Sequence, residues 1–265
     1  MRRRELFELH DHPRFPARLR NLVTDALQAL WRFGNSYGAI LPELGASLRA
    51  SGDGAALVEV LDLCSGGGGP WPRLVGDLER EYGMIVHVRL TDRYPHPEAA
   101  PAPQGEGVRS RLEYLLQPLD AASVPAEMPG VRTLFSSLHH LGPRQVRRML
   151  CNAVEGEHGI AVFEMAERSP MTLAILCLTP LLVLVLTPAM RPFRWSRLAF
   201  TYLLPVIPFV IGFDGLISCL RAYSTDELRE LVDSLASPGY RWQVGVERRG
   251  LLAVTFLIGA PVAEQ

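Results

Sequence analysis

The sequence has few cysteines, almost no net charge and no apolar stretch near its start. The four cysteines are Cys64, Cys151, Cys177 and Cys219. Because they form no C-x-x-C pair, a zinc site and a disulfide framework are not expected, and a reducing compartment is favoured. The 27 basic and 28 acidic side chains leave a formal charge of -1, so nucleic acid is not expected as a partner. Acidic residues and histidines follow the first arginines where an export signal has its apolar core, so a cytoplasmic protein is expected.

The composition is that of a globular chain, with 48% hydrophobic residues in a length of 265. A chain of this length buries a core without disulfides or a structural metal, and one domain is expected. Five short apolar runs begin at residue 57 and are separated by helical or loop segments. They are LVEVLDL, MIVHVRLTD, RLEYLL, VRTLFSSL and GIAVFEM. This alternation predicts an α/β fold with a mainly parallel sheet and helices on both faces.

We predict four parts within this single domain of residues 1–265. They are a helical N-terminal lid (1–54), a core of strands (55–168), an apolar helical insert (169–221) and a C-terminal helix with a β-hairpin (222–265). Gly34 is the predicted stop of the first helix, and residues 95–107 are predicted to be a loop.

The apolar insert contains two runs, 171–190 and 198–220, that are each long enough to cross a bilayer. Arginines in the link between them oppose a two-span hairpin under the positive-inside tendency. Prolines within both runs predict kinked or broken helices. We therefore expect the insert to be a helical cap over a ligand site, an interface of a homodimer, or a segment in peripheral contact with a membrane.

The segment from Val60 to Trp71 consists of an apolar strand followed at once by glycines. Such a turn lets a ligand approach the backbone and the start of the next helix. No lysine follows the glycines, which excludes a P-loop. The dinucleotide pattern G-x-G-x-x-G also fails, because Trp71 or Pro72 occupies its last position.

Residues 62–68, DLCSGGG, resemble motif I of the class I S-adenosylmethionine-dependent methyltransferases, acid-x-G-x-G-x-G. Cys64 stands in place of the first glycine. The resemblance extends over about residues 55–168 and 222–259, including the segment SSLHHL after the fourth strand. It implies a Rossmann-like seven-stranded sheet with a closing antiparallel hairpin, S-adenosylmethionine as the cofactor, and the small-molecule branch of the family.

The resemblance also implies a set of cofactor-binding residues. Asp92 is expected to accept the ribose hydroxyls, and Asp120 to bind the adenine amino group, although a solvent-facing turn is an alternative for Asp120. Arg93 favours an NADP-like phosphate instead, which keeps a nicotinamide-dependent oxidoreductase as an alternative. The complete set is Asp62, Cys64, Ser65, Gly66, Gly67, Gly68, Asp92, Arg93, Asp120, Ala121, Ser136 and Ser137.

His139 and His140 are the candidate catalytic bases, because histidine titrates near neutral pH and the fourth strand ends at the cofactor pocket. Glu164 is a further candidate, or it pairs with an arginine such as Arg168. No metal is expected: His10, Asp11 and His12 are adjacent, so their side chains diverge, and a surface or helix-capping role is predicted for them.

The predicted acceptor is a hydrophobic small molecule or lipid-like compound. An insert after the fifth strand lies over the carboxyl edge of the sheet, where open α/β folds bind ligands. Trp195, Tyr202 and Asp214 are therefore the candidate substrate contacts. A non-catalytic module that binds a membrane or a partner through the insert is a further alternative.

Overall fold

A computed structural model of the chain describes residues 3–33, 35, 37–51, 57–96, 107–235, 237–250 and 252–262. The predicted helix stop at Gly34 and most of the predicted loop 95–107 lie outside these residues. The strands are β1 (Leu57–Leu63), β2 (Ile85–Leu90), β3 (Arg111–Tyr114), β4 (Val131–Phe135), β5 (Ile160–Glu164), β6 (Tyr240–Arg249) and β7 (Leu252–Pro261).

In the described part of the chain these strands form one seven-stranded sheet in the order β3-β2-β1-β4-β5-β7-β6. Strands β1 to β5 pair in parallel, whereas β7 is antiparallel to both β5 and β6. All residues of β4 and β5 are buried, as expected for parallel strands covered on both faces. The predicted α/β fold, with its Rossmann-like sheet and closing hairpin, is confirmed.

The helices are α1 (Ala17–Phe33), α2 (Leu41–Ser51), α3 (Trp71–Tyr82), α4 (Pro143–Glu155), α5 (Pro170–Leu186), α6 (Trp195–Leu198), α7 (Val206–Arg221) and α8 (Thr225–Asp233). Helices α2 and α3 contribute to the apolar core on one face of the sheet, and α4 and α8 to the core on the other. Ser224 caps helix α8, and its hydroxyl accepts from the Glu227 amide in a capping box.

A third apolar cluster lies between α1 and the insert. Its buried members are Leu22, Val23, Ala26, Val183, Met190, Ile207, Val210 and Ile211. This cluster holds the insert against the N-terminal helix. Because α1 also covers the glycine turn, the insert is joined to the carboxyl edge of the sheet through that helix.

The insert is a bent helical hairpin. Helix α5 contains Pro180 and continues as a short 3₁₀ turn to Ala189, while α6 runs into a π-helical turn (Ala199–Leu203) that meets α7 at a 70° bend beside Pro205. By length and composition alone, Pro170–Ala189 could cross a membrane, and the bent pair could count as a second span. The kinked or broken helices predicted from the prolines are present, although Pro180 does not end α5.

Candidate active site

The glycine turn connects β1 to α3 and is tied to the end of β2. The Ser65 amide donates to the Thr91 carbonyl at 2.8 Å, and the Thr91 amide donates to Ser65 Oγ at 3.0 Å. The backbone at Gly66 and Gly68 has φ of +53° and +95°, which glycine adopts without steric cost. Cys64 also has a positive φ, +56°, although it carries a side chain. Glycine adopts this conformation at lower cost, which explains why motif I has a glycine at this position.

The two predicted acids lie beside this turn. Asp92 Oδ2 accepts from the Gly66 amide at 2.8 Å, and its Oδ1 accepts from the Tyr94 amide at 2.8 Å. Asp62 is buried and accepts from Thr133 Oγ1 at 2.7 Å. Burial raises the pKa of Asp62 to about 7, and it also raises the pKa of Asp92 above its usual value. A second negative charge nearby contributes to the shift at Asp62.

The remaining predicted cofactor residues fall into two groups. Ser136 and Ser137 lie at the end of β4 near the turn, and Ser137 Oγ hydrogen-bonds the Cys64 carbonyl at 3.3 Å. In contrast, Asp120 is exposed and accepts from the Ala122 amide at 2.9 Å, which is the turn arrangement given as its alternative. Ala121 is buried in the core beneath α4, and the side chain of Arg93 is exposed.

His139 lies at the centre of a buried chain of polar groups. Its Nδ1 is 2.8 Å from Glu164 Oε2, and its Nε2 is 3.7 Å from Glu8 Oε1. Burial alone raises the pKa of Glu164, but the His139 ring and two backbone amides outweigh it and hold the pKa below its usual value. The ionised Glu164 therefore accepts from Nδ1–H, which leaves Nε2 as the atom that can take a proton. Arg168, named as an alternative partner of Glu164, is paired with Glu227 instead.

His140 belongs to an ion-pair cluster that shares Glu8 with His139. Its Nδ1 is 2.6 Å from Asp11 Oδ2 and 3.3 Å from Glu8 Oε2. Burial lowers the pKa of His140, but the charges of Glu8 and Asp11 dominate and raise it to about 9. Arg221 faces both acids at 3.7 and 3.6 Å. His140 is therefore a cation at neutral pH, a state that suits an ion pair rather than a base.

Glu8, His139 and His140 also bring ligand atoms within 4.8 Å of one another, as a metal site requires. The absence of a metal stays a prediction, because the short distances among these three residues do not test it. The earlier triplet separates as expected for adjacent residues: His10 Nε2 contacts Thr24 Oγ1 at 3.2 Å, and His12 Nδ1 accepts from the Arg14 amide. No pattern in the sequence places Glu8 at this site, and Asp11 pairs with His140 instead of having the predicted surface or helix-capping role, because both acids are far along the chain from His140.

The three residues predicted to contact the substrate lie on the insert, where they contact the N-terminal segment or solvent. Asp214 accepts from the Leu9 amide at 2.7 Å and from the His10 amide at 3.0 Å, so it fastens the N-terminal segment to α7. The side chains of Trp195 and Tyr202 are 77% and 50% exposed on the insert. Their role as substrate contacts remains a prediction.

Helix α1 and the preceding segment cover the carboxyl edge. Gln28 Nε2 donates to the Gly69 carbonyl at 2.8 Å, and a side chain at Gly67 or Gly69 would meet Gln28 or Trp31. Glu8 and Asp11 bring carboxylates onto the two histidines. Helix α1 therefore covers the glycine turn, and the segment before it covers His139 and His140.

Comparison with solved structures finds chains of similar architecture. Human N-acetylserotonin methyltransferase in complex with S-adenosylmethionine matches over 92% of this chain and 56% of its own, at 15% identity and a TM-score of 0.49. The mitomycin 7-O-methyltransferase MmcR matches over 96% and 59%, at 16% identity and a TM-score of 0.43. A chain from Rhodobacter sphaeroides, provisionally named as a zinc-dependent alcohol dehydrogenase, matches over 92% and 99%, at 14% identity and 0.48.

This chain spans little more than half the length of the two methyltransferases. No protein-family model and no curated protein matches the sequence. Because these TM-scores are below 0.5, the fold is assigned from the strand order of this molecule's own sheet. Its strand order, with a single reversed strand next to β5, is that of the Rossmann-like methyltransferase fold.

Proposed function

We propose that this protein transfers the methyl group of S-adenosylmethionine to a hydrophobic small-molecule acceptor. The observation that carries the proposal is the arrangement at the carboxyl edge: a glycine turn with Asp92 on one side and the buried His139–Glu164 pair on the other. This edge of a parallel sheet is where open α/β folds bind ligands.

The residues beside the glycine turn suit the proposed cofactor. Each oxygen of Asp92 already accepts one backbone amide and keeps a lone pair, so the carboxylate can also accept two ribose hydroxyls. The acids at 62 and 92 favour a ligand that carries ammonium and sulfonium groups, and they oppose a pyrophosphate. The side chain of Arg93, on which the oxidoreductase alternative depends, is exposed to solvent.

When bound, S-adenosylmethionine would supply an electrophilic methyl group: the acceptor's oxygen or nitrogen would bond to the methyl carbon as the carbon–sulfur bond breaks, and S-adenosylhomocysteine would leave with that electron pair. The chain's own residues position the acceptor and manage its proton. Glu164 holds His139 with Nδ1 protonated, and Nε2 faces Glu8 in this structure; in the proposal the acceptor replaces Glu8 beside the ring, and Nε2 accepts the proton that the acceptor's hydroxyl or amine loses as its new bond to carbon forms. The cover of Glu8, Asp11 and α1 excludes water from this reaction once it has closed over both ligands.

The hydrophobic character of the acceptor is supported by the insert. Helix α7, which is part of the insert, carries Asp214 and Arg221, which contact the segment covering His139, and its apolar residues Ile207 and Val210 are buried in the cluster formed with α1. We infer a hydrophobic acceptor from this apolar insert beside the segment that covers His139.

The test is a set of thermal unfolding curves recorded with S-adenosylmethionine, S-adenosylhomocysteine, NADH or NADPH. A ligand that binds only the native state raises the apparent stability. We expect the first two compounds to raise Tm and the nicotinamides to leave it unchanged. A shift with NADPH alone would support an oxidoreductase, and no shift with any of the four would support the non-catalytic alternative. Mass spectrometry of ligands that copurify with the protein then identifies the acceptor class.

A further inference from the structure

The solvent-facing side of α5 is apolar along its whole length. Met171, Ala174, Leu178, Leu181 and Val185 are exposed, and their spacing of three and four residues places them on one face of the helix. The last three are 61%, 59% and 73% exposed. Only 11% of the most apolar stretch of Pro170–Ala189 is buried. This helix therefore presents to solvent the kind of surface that other helices bury.

The bend after the π-helical turn extends the same surface. Leu203, Leu204 and Phe209 are 79%, 58% and 63% exposed. Tyr202 donates its hydroxyl to the Leu184 carbonyl, which places this bend against α5. We call the exposed side chains of α5 and of residues 202–209 the apolar face. Contiguous patches of this kind on a protein surface mark sites that contact a partner or a membrane.

The opposite side of the insert is fixed to the rest of the domain. Val183, Ile207 and Val210 are buried against α1, and Asp214 binds the backbone of the N-terminal segment. A hairpin that crossed a bilayer would expose this inner side to lipid and would lose these contacts. The geometry is therefore that of a segment lying along a surface, with one side packed on the domain and the other side free.

The charges around the apolar face have one sign. Between residues 169 and 213 the charged residues are Arg191, Arg194 and Arg197, with no acidic residue. Arg197 is buried on Asp25, whereas Arg191 is exposed. Beside it, Phe193 and Trp195 form an edge-to-face pair at 5.2 Å. Exposed aromatic residues next to arginine are typical of the interface between a bilayer's hydrocarbon and its headgroups, and arginine favours anionic lipids.

We propose that the apolar face docks in the plane of an anionic lipid bilayer, with α5 and residues 202–209 in the outer hydrocarbon and Arg191 at the headgroups. Amphipathic helices bind in this way with their apolar side about 5 to 10 Å deep. A protein partner fits less well, because typical protein interfaces are only about 57% apolar and use about ten hydrogen bonds. The exposed side chains of α5 offer no oxygen or nitrogen for such bonds.

The experiment is cosedimentation of the full chain with vesicles of phosphatidylcholine alone, or of phosphatidylcholine and phosphatidylglycerol in equal amounts. We expect binding to the mixed vesicles, and weaker binding to phosphatidylcholine alone. The double variant Leu178→Gln/Leu181→Gln should lose about tenfold or more in vesicle partitioning. Arg191→Glu should lose about fivefold, and only on the anionic vesicles.

Leu116→Gln is the matched control, because Leu116 is 66% exposed in the loop after β3 and far from the insert in sequence. It should bind like the wild type. Thermal unfolding and circular dichroism establish that each variant is folded, and a more conservative pair, Leu178→Ala/Leu181→Ala, replaces the double variant if it is not.

Three results would overturn the proposal. The first is a folded wild-type protein that binds neither kind of vesicle. The second is bound protein that resists extraction by alkaline carbonate, which indicates a spanning segment. The third is a dimer in solution that the double variant dissociates while vesicle binding is unchanged, which assigns the face to a second copy. Since no step measures methyl transfer, the docking surface and the proposed function fail independently.

Discussion

The two halves of the carboxyl edge are built from residues at different distances along the chain. Around the cofactor half, β1, the glycine turn and β2 follow one another closely, and the contacts among Asp62, Gly66 and Asp92 lie within about one βαβ unit. The acceptor half joins His139 and Glu164 to Glu8 near the start of the chain and to α7 in the insert. Local turn chemistry thus builds one half, whereas packing of distant segments builds the other.

The largest expected effect lies in the acceptor half. His139→Gln removes the atom that takes the acceptor's proton, so turnover should fall by roughly 10²- to 10⁴-fold. Affinity for S-adenosylmethionine should change little, since the cofactor contacts lie in the other half. Turnover with an identified acceptor and cofactor titration calorimetry measure the two quantities.

His158→Gln is the matched control for that variant, because His158 lies between α4 and β5, away from the carboxyl edge. Glu164→Gln should lower turnover less and shift its pH profile, since it weakens the positioning of the ring without removing it. Full turnover by His139→Gln would mean that alignment of the two substrates suffices.

The cofactor half gives the next largest effect. Asp92→Ala removes the carboxylate proposed for the ribose hydroxyls, and it should weaken cofactor binding by about 1 to 3 kcal/mol, the range for hydrogen bonds to a charged group. Calorimetry with S-adenosylhomocysteine measures it, with Asp233→Ala on the exposed end of α8 as control. Unchanged affinity would remove Asp92 from the site.

The difference between the cofactor half and the acceptor half also explains what could be predicted from the sequence. The mainly parallel sheet and the glycine turn follow from local alternation and spacing, and the resemblance to the family, also carried by a short motif, implies the seven-stranded sheet and the role of Asp92. The contacts of Glu8 with His139 and of Asp214 with the Leu9 amide depend on how the N-terminal segment folds back over α7, and no local pattern records that. Asp214 was expected to contact the acceptor because an isolated acid in an apolar run needs a polar partner, and two backbone amides supply it here.

The surroundings of the insert were likewise only partly predictable. Its apolar composition and prolines predict broken helices, and α5 to α7 show them. Which side of each helix faces the domain depends on α1, whose residues Leu22 and Val23 pack against it. Because the insert is apolar on all sides, periodicity cannot distinguish its inner and outer faces.

A smaller effect is expected from the ion pair that joins the N-terminal segment to the site. The pKa of His140 is raised from 6.5 to about 9 by Glu8 and Asp11. Its contribution to stability is therefore complete below about pH 6.5 and is lost as the pH rises through about 9. His140→Gln should lower the free energy of unfolding by about 1 to 2 kcal/mol at pH 6, and by little above pH 10.

Chemical denaturation of the wild type and His140→Gln across this pH range measures the difference. Arg221, Asp92 and His10 also interact with the charge of His140, and all three residues are retained in the variant. A difference that stays constant with pH would show that packing of the ring, and not its charge, stabilises the segment.

The smallest effect is expected from replacing Cys64, the departure from the family motif, with glycine. Cys64 adopts φ of +56°, a conformation that costs a residue with a Cβ about 1 to 2 kcal/mol. Glycine removes that cost but adds entropy to the unfolded chain. Cys64→Gly should therefore change stability by less than about 1 kcal/mol, whereas the β-branched Cys64→Val should destabilise by roughly 2 kcal/mol. Equal stability of the two variants in thermal unfolding would contradict the assigned backbone conformation.

The central claim is that one ligand joins the two halves of the edge. A crystal structure of the protein with S-adenosylhomocysteine tests it most directly. We expect the ribose hydroxyls to contact Asp92 and the amino-acid end of the ligand to lie beside the glycine turn. We expect its sulfur to be directed towards His139. Electron density for the ligand at any other place, or a nicotinamide cofactor retained at the glycine turn, would contradict it.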